Sequence, residues 1–375
     1  MVGTEFRRGG AEYIEREIEK AIADGCRTAH ITGSWEMERE VRLPSNITLI
    51  LEDCHLRMAD GVYSNMFVNE HYATDLGRTL AGTDKNINIK GRGKAILDGG
   101  SFNGLTEKTQ NKNGLPSMWK NNTLIFANVD GFSISDIQVI NQRWWALTFV
   151  FSRNGYIGNI DFCSNDTAID ENGNEYHGLI YDKYNEVLLK NSDGIDLRIG
   201  CHDILIENIT GFIEDDTVAL TALHGKYEMG TLSVLGMSSD IYNVQIKNVR
   251  TASYCSNVRL LNQGGTKLHD ILVDGVYDQS ETSPHLDHGA TAVKIGDVHM
   301  YGSRHATADE TYNITVRNIY GAGIAAVSLA GGIKNLSIYG IECKPGTKMI
   351  RNQGVEVVEA LERMHEIEKM KQKQK

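Results

Sequence analysis

Proline is scarce in this chain, four residues in 375. Tight turns therefore cannot depend on a ring that presets φ and must use Gly, Asn and Asp, which tolerate a left-handed backbone. Glycine is plentiful at 38 residues. The six cysteines (Cys26, Cys54, Cys163, Cys201, Cys255, Cys343) include no CxxC pair, which argues against a structural zinc or a disulfide framework and reads them as buried free thiols. No stretch approaches the roughly 20 apolar residues that span a bilayer. The N-terminus, MVGTEFRRGGAEYIEREIEK, has no apolar signal segment, and the expectation is a cytoplasmic protein without a membrane partner. Basic residues are outnumbered 38 to 49, for a formal charge of -11. That balance disfavours nucleic acid, and a polyanionic substrate would need a local basic pocket.

What the chain does contain is a repeat. Alternating apolar residues followed by a small or polar turn residue recur as INIKG at 87, FSISD at 132, YIGNI at 156, ILIENI at 204, VQIKNV at 244, ILVDGV at 271, ITVRNI at 314 and LSIYGI at 336. The turn positions Gly91, Asp136, Asn159, Asn208, Asn248, Gly275, Asn318 and Gly340 are mostly spaced by one or two units of roughly 23 residues, the length of one solenoid coil. The predicted fold is all-β: a single-stranded right-handed parallel β-helix forming one domain over 1–375. Its coils span 40–345, filled by Ile, Val and Leu, with hydrogen-bonded Asn ladders at matching turns. A β-sandwich or barrel of short strands is the alternative that the regular unit disfavours. Residues 10–24 place Tyr13, Ile14, Ile18 and Ile22 on one helical face, as a cap on the first coil requires. The tail from 355 to 375 has a helical stripe of Val358, Leu361, Met364 and Ile367, which could cap the other end or pair with a second copy as a homo-oligomer.

Carboxylates concentrate in two segments, Asn191-Ser-Asp-Gly-Ile-Asp196 and Glu214-Asp215-Asp216. Asp193 precedes Asp216 by about one repeat, so coiling would stack the two segments side by side. Inverting glycoside hydrolysis needs an acid and a base roughly 6.5–9.5 Å apart, and clustered like charges raise one another's pKa until one member keeps its proton. An acidic pair alone is weak evidence in a chain with 49 acidic residues.

The motif NSDGID followed one coil later by EDD resembles the NTDGxD and DD motifs of the polygalacturonase-like glycoside hydrolases. GRGKAILDGG (91–100) and VINQRWWALTFVFSRNGYIGNI (139–160) are similar to two further stretches of that family. The resemblance runs from about residue 40 to 345. It implies an oligosaccharide substrate, Asp215 as general acid, Asp193 and Asp216 holding and deprotonating a water, and Asn191 and Asp196 supporting them. It implies no cofactor and no metal.

Two family features are missing. The Gly-His-Gly expected after the Asp pair reads YEMGTLSVLG here, leaving His224 as a candidate substitute, and the Arg-x-Lys element reads Arg259-Leu260-Leu261. Arg259 is retained as a substrate-binding candidate. Loss of the lysine argues for a neutral or differently decorated sugar, with Lys226 and Lys267 as candidate replacements. The polar stretch 164–187 exceeds what one coil needs and is expected to protrude and block one end of a cleft, giving exo action on short oligosaccharides. Of Trp144 and Trp145, alternation sends one toward the cleft and the other into the core. His285, His288, His299 and His305 show no metal-ligand spacing. Two rival readings remain: a β-helical lyase that holds calcium with its acidic side chains, and a carbohydrate-binding solenoid without turnover.

Overall fold

The computed structural model describes residues 5–100, 118–142, 144–164, 167–170, 174–177, 187–188, 193–223, 230–283, 291–296 and 304–353. The chain alternates between two parallel sheets, each of ten strands among the described residues. The first sheet runs from Thr28–Met37 and Ile47–Met58 through to Thr311–Gly321 and Lys334–Cys343. The second runs from Val41–Leu43 and Phe67–Asn69 to Ala325–Leu329 and Lys348–Asn352. Each step from one sheet to the other and back is one right-handed coil of a parallel β-helix. The coils begin and end beyond the expected 40–345: TAHITGSWEM (28–37), with a left-handed Gly33 at its corner, pairs with Ile47–Met58, and the short second-sheet strand KMIRN (348–352) pairs with Ala325–Leu329.

The eight repeat copies are eight consecutive strands of the first sheet. Ile89, Ile134, Ile157, Ile206, Ile246, Val273 and Val316 pair successively and are all fully buried, with Ile338 closing the row. Truncating such a side chain to Ala costs about 2–5 kcal/mol. Within His202–Ile213 the inward residues are Ile204, Ile206 and Ile209, with Glu207 and Asn208 both outward between them. That break in alternation is the corner of the coil, and the left-handed residue there makes it: Asp136, Asn159, Asn208, Asn248 and Asn318 all have φ between 51° and 61°. Asn, with a short polar side chain, is the non-glycine residue that best tolerates this region. The expected ladder is present, with Asn248 donating to Asn208 at 2.7 Å, Asn208 to Asn159 at 2.9 Å and Asn159 to Asp136 at 2.8 Å.

The capping helix spans Gly10–Ala23 and buries Ala11, Ile14, Ile18 and Ala21 on the first coil. A Cβ at Gly10 would lie 2.6 Å from the Glu36 carbonyl oxygen, so only glycine allows the helix to seat this closely. The second helical segment, 355–375, lies outside the described residues. The stretch after 164 forms its own antiparallel sheet of Thr167–Asp170, Glu175–His177 and Val187–Leu188, separate from both ladders. The cysteines differ from expectation: Cys54 and Cys201 are buried, but Cys26 and Cys163 are exposed and Cys255 and Cys343 half-buried. All six are free.

Asn208 both gives and accepts a ladder bond at φ 57°. Asn208→Ala should lower stability in urea unfolding by about 1–3 kcal/mol, and Asn208→Gly by less because glycine removes the left-handed strain. An alanine variant as stable as the parent would show that the ladder contributes nothing.

Candidate active site

The second sheet carries the acidic segments because its strands are short and start at the same rung. Ile195 pairs with Val218, and the backbone bonds from Gly194 N to Asp216 O and Ile195 N to Thr217 O, both 2.9 Å, continue the ladder one rung earlier. Asp193 and Asp216 are therefore rung neighbours on successive coils. Gly194 permits this, since a Cβ there would meet Thr217 O at 2.6 Å.

One oxygen from each of Asp193, Asp215 and Asp216 lies within 4.8 Å of the other two. This is tighter than the separation of roughly 6.5–9.5 Å anticipated for an inverting pair, because neighbouring rungs sit at strand spacing. It suits two oxygens bridged by one water, which two hydrogen bonds of about 2.8 Å would span. The Asp216 N–H donates to Asp193 Oδ1 at 3.1 Å, and Arg259 Nη1 donates to Asp216 Oδ2 at 3.1 Å. Asp193 and Asp216 are buried at 8% and 1% exposure, whereas Asp215 is half-buried.

The raised proton affinity of clustered, buried carboxyls is present at Asp193, Asp196 and Asp216. Burial pushes Asp193 well above the carboxylate range, reinforced by Asp196, Asp215 and Asp216. Burial raises Asp216 only to about 6, because Arg259 and Lys294 favour its ionised form against Asp215. Burial raises Asp196 to about 7 against the opposing charge of Arg198. Asp193, whose protonated form its surroundings favour, thus stands beside Asp216, whose ionised form two cations favour, a difference of environment that acid–base chemistry uses. Arg259 takes up Oδ2 of Asp216. A second close group, Glu70, His71 and Asp84, is structural: Asp84 accepts from Asn69, from His71 N and from Ser45, and bonds the His71 ring.

Asp196 and Arg259 join the patch as expected, while Asn191, His224 and Lys226 lie outside the described residues. Lys267 does not replace the missing lysine, since it is exposed at the start of a first-sheet strand, with its N–H donating to Asp240. Lys294 pairs with Arg259 on the next rung, and its charge acts on Asp216. No sequence signal pointed to it, because the register that aligns it with Arg259 crosses a coil much longer than the repeat. Arg198 was also missed, although it follows Asp196 by two residues and strand alternation puts both on one face.

The tryptophan expectation is corrected. Trp144 and Trp145 are both buried, at 5% and 6% exposure, and neither belongs to the main core. Trp144 has φ 25°, which breaks alternation and sends both rings to the same side. With Trp119, Tyr72, Leu232 and Val234 they form a second apolar cluster on the outer face of the second sheet. Arg78 ties this wall together, its carbonyl accepting from Leu235 N at 2.9 Å and its guanidinium donating to Ser233.

No protein-family model and no curated protein sequence matches the chain. Solved structures match its fold. One is a 1,3-α-1,4-β-D-galactose-4-sulfate-3,6-anhydro-D-galactose-2-sulfate 4 galactohydrolase, 12% identical with TM-score 0.60, covering 95% of this chain and 88% of that one. Another is an iota-carrageenase complexed to iota-carrageenan fragments, 11% identical with TM-score 0.60, covering 95% and 89%. A third is the tailspike protein of E. coli bacteriophage HK620 in complex with a pentasaccharide, 15% identical with TM-score 0.57, covering 92% and 61%. At these identities the likeness establishes the fold.

Because each raised carboxyl binds its proton more tightly folded than unfolded, the folded state carries the extra protons. Stability from these groups is present at low pH and lost as pH rises through about 6 and 7, the values of Asp216 and Asp196. Asp193→Asn should therefore raise Tm by several degrees at pH 8 and by less at pH 5 in calorimetry. A lower Tm at pH 8 would contradict this electrostatic picture.

Proposed function

We propose that the protein is a glycoside hydrolase acting on short acidic oligosaccharides, with Asp193, Asp215 and Asp216 as its catalytic carboxyls. The observation that carries this reading is the convergence of three carboxyls from successive coils, with Arg259 bonded to Asp216 and burial favouring the protonated form of Asp193. The parallel β-helix shared with a galactohydrolase and an iota-carrageenase supports it.

In this mechanism Asp215, the least buried of the three, is the general acid: it is protonated in the enzyme–substrate complex, where the bound sugar shields it from water, and donates that proton to the leaving oxygen as the glycosidic bond breaks. A water between Asp193 and Asp216 loses its proton to Asp216 and attacks the anomeric carbon from the opposite side, inverting it. Neutral Asp193 orients that water. Lys294 favours an acidic sugar over the neutral one suggested by the missing Arg-x-Lys: this half-buried residue shares a rung with Arg259, and its charge reaches Asp216. In a chain of formal charge -11 such a pair of cations is the local basic pocket that an anionic substituent requires. The antiparallel insertion enters the chain just before the Asp193 rung, consistent with exo action.

The test is a panel of uronic-acid, sulfated and neutral oligosaccharides, with product anomers followed by NMR. Turnover of an acidic member is expected, abolished by Asp215→Asn with the circular-dichroism spectrum and Tm retained. Tight binding without products would replace the hydrolase by a binding solenoid, and an unsaturated product absorbing in the ultraviolet would make it a lyase. With the active substrate, kcat/KM should fall on acidification with an apparent pKa near 6, as Asp216 protonates. Lys294→Met should raise KM at least about tenfold for the acidic substrate. An unchanged KM would remove Lys294 from the pocket.

A further inference from the structure

Asp196 and Arg198 are buried at 0% and 3% exposure, and the hydrolytic steps use neither. An arginine withdrawn so far from water costs several kcal/mol unless its surroundings compensate. Here the compensation is specific. Nη1 of Arg198 lies 3.4 Å from Asp196 Oδ1, and its guanidinium lies 4.5 Å from the Trp145 ring centre and 6.0 Å from that of Trp119. Stacking on two indoles fixes a planar cation in one orientation, which a lysine could not match. Asp196 in turn is buried three residues along the chain from Asp193 and acts on its carboxyl, and Asp193 Oδ1 accepts from Asp216 N. These groups run from the tryptophan wall to the catalytic rung.

We infer that Arg198 is a positioning residue, which holds Asp196 ionised so that Asp196 accepts the proton of Asp193 and keeps that carboxyl neutral and oriented beside Asp216. Two carboxyls can share a proton only while one of them is charged, and a cation on the outer member decides which. The charges facing the line are consistent with this. Asp193 is faced by Asp196, Asp215 and Asp216; Asp196 by Arg198, Asp193 and Asp216; and Asp216 by Arg259, Asp215 and Lys294. The two flanking carboxyls each have a cation, and the proton resides between them. The kinetic consequence, though not the protonation pattern, rests on the hydrolase reading.

The experiment is carbon-13 NMR titration of the full chain with labelled aspartate carboxyls, in the parent, Arg198→Gln, Arg198→Lys and the isosteric Asp196→Asn, together with kinetics on the active oligosaccharide. Arg198→Gln should move the Asp196 titration upward by at least about one pH unit and lower kcat at least about tenfold with little change in KM, whereas Arg198→Lys should restore part of both. Asp196→Asn should move the Asp193 titration downward, which keeps the inference testable should Arg198→Gln fail to fold. Unmoved titrations in the folded variants overturn the inference whatever the kinetics. If the titrations move as stated and no oligosaccharide is cleaved, the hydrolase reading fails and the positioning role stands.

Discussion

In-register parallel pairing between successive coils is the constraint on which the rest of this structure depends. Each coil repeats the backbone path of the one before it at strand spacing, so any side chain is met by its equivalents one rung above and below. Where the equivalents are Ile and Val, the stack is a dry core. Where they are Asn at a left-handed corner, it becomes a hydrogen-bonded ladder. Where they are carboxylates, the same pairing forces like charges together. Asp193 and Asp216 cannot move apart without breaking the backbone bonds that join their strands.

That enforced proximity has an electrostatic consequence. Buried carboxyls at strand spacing raise one another's proton affinity, and nearby cations determine how the burden is shared. Arg259 and Lys294, from the next two coils, lean on Asp216, and Arg198, from the same strand, leans on Asp196. Asp193 is left between them with the proton. A patch of this kind lowers the stability of the fold near neutral pH, and its persistence is the kind of local cost that functional sites carry. The outer face of the second sheet changes along its length from the tryptophan cluster to this charged patch, and Arg198 sits at the junction, touching both.

Legibility in the sequence follows the same geometry. The first-sheet strands were visible because their corners need Asn, Asp or Gly and their apolar residues alternate up to that corner. The second-sheet strands, some only three to five residues long, carry too little pattern to show alone. Asp193, Asp215 and Asp216 were legible because one regular coil separates them. Lys294 was not, since irregular coil lengths decide which residue shares a rung with Arg259. The pairing of Trp144 with Trp145 on one side was hidden by a single backbone angle that no residue type announces. Arg198 was within reach of simple strand alternation from Asp196, but a carboxylate motif drew the reading to acidic residues alone.

The most direct test of the enforced charge cluster is a double-mutant cycle between Asp193→Asn and Asp216→Asn, read by urea unfolding at pH 8 and pH 5. The account predicts a coupling above about 1 kcal/mol at pH 8 that shrinks at pH 5, because removing either carboxyl lowers the other's raised proton affinity, whose cost to stability grows as pH rises above the ordinary carboxylate range. Effects that add to within about 0.5 kcal/mol at both pH values would show that the two carboxyls do not sense each other, contradicting the central claim.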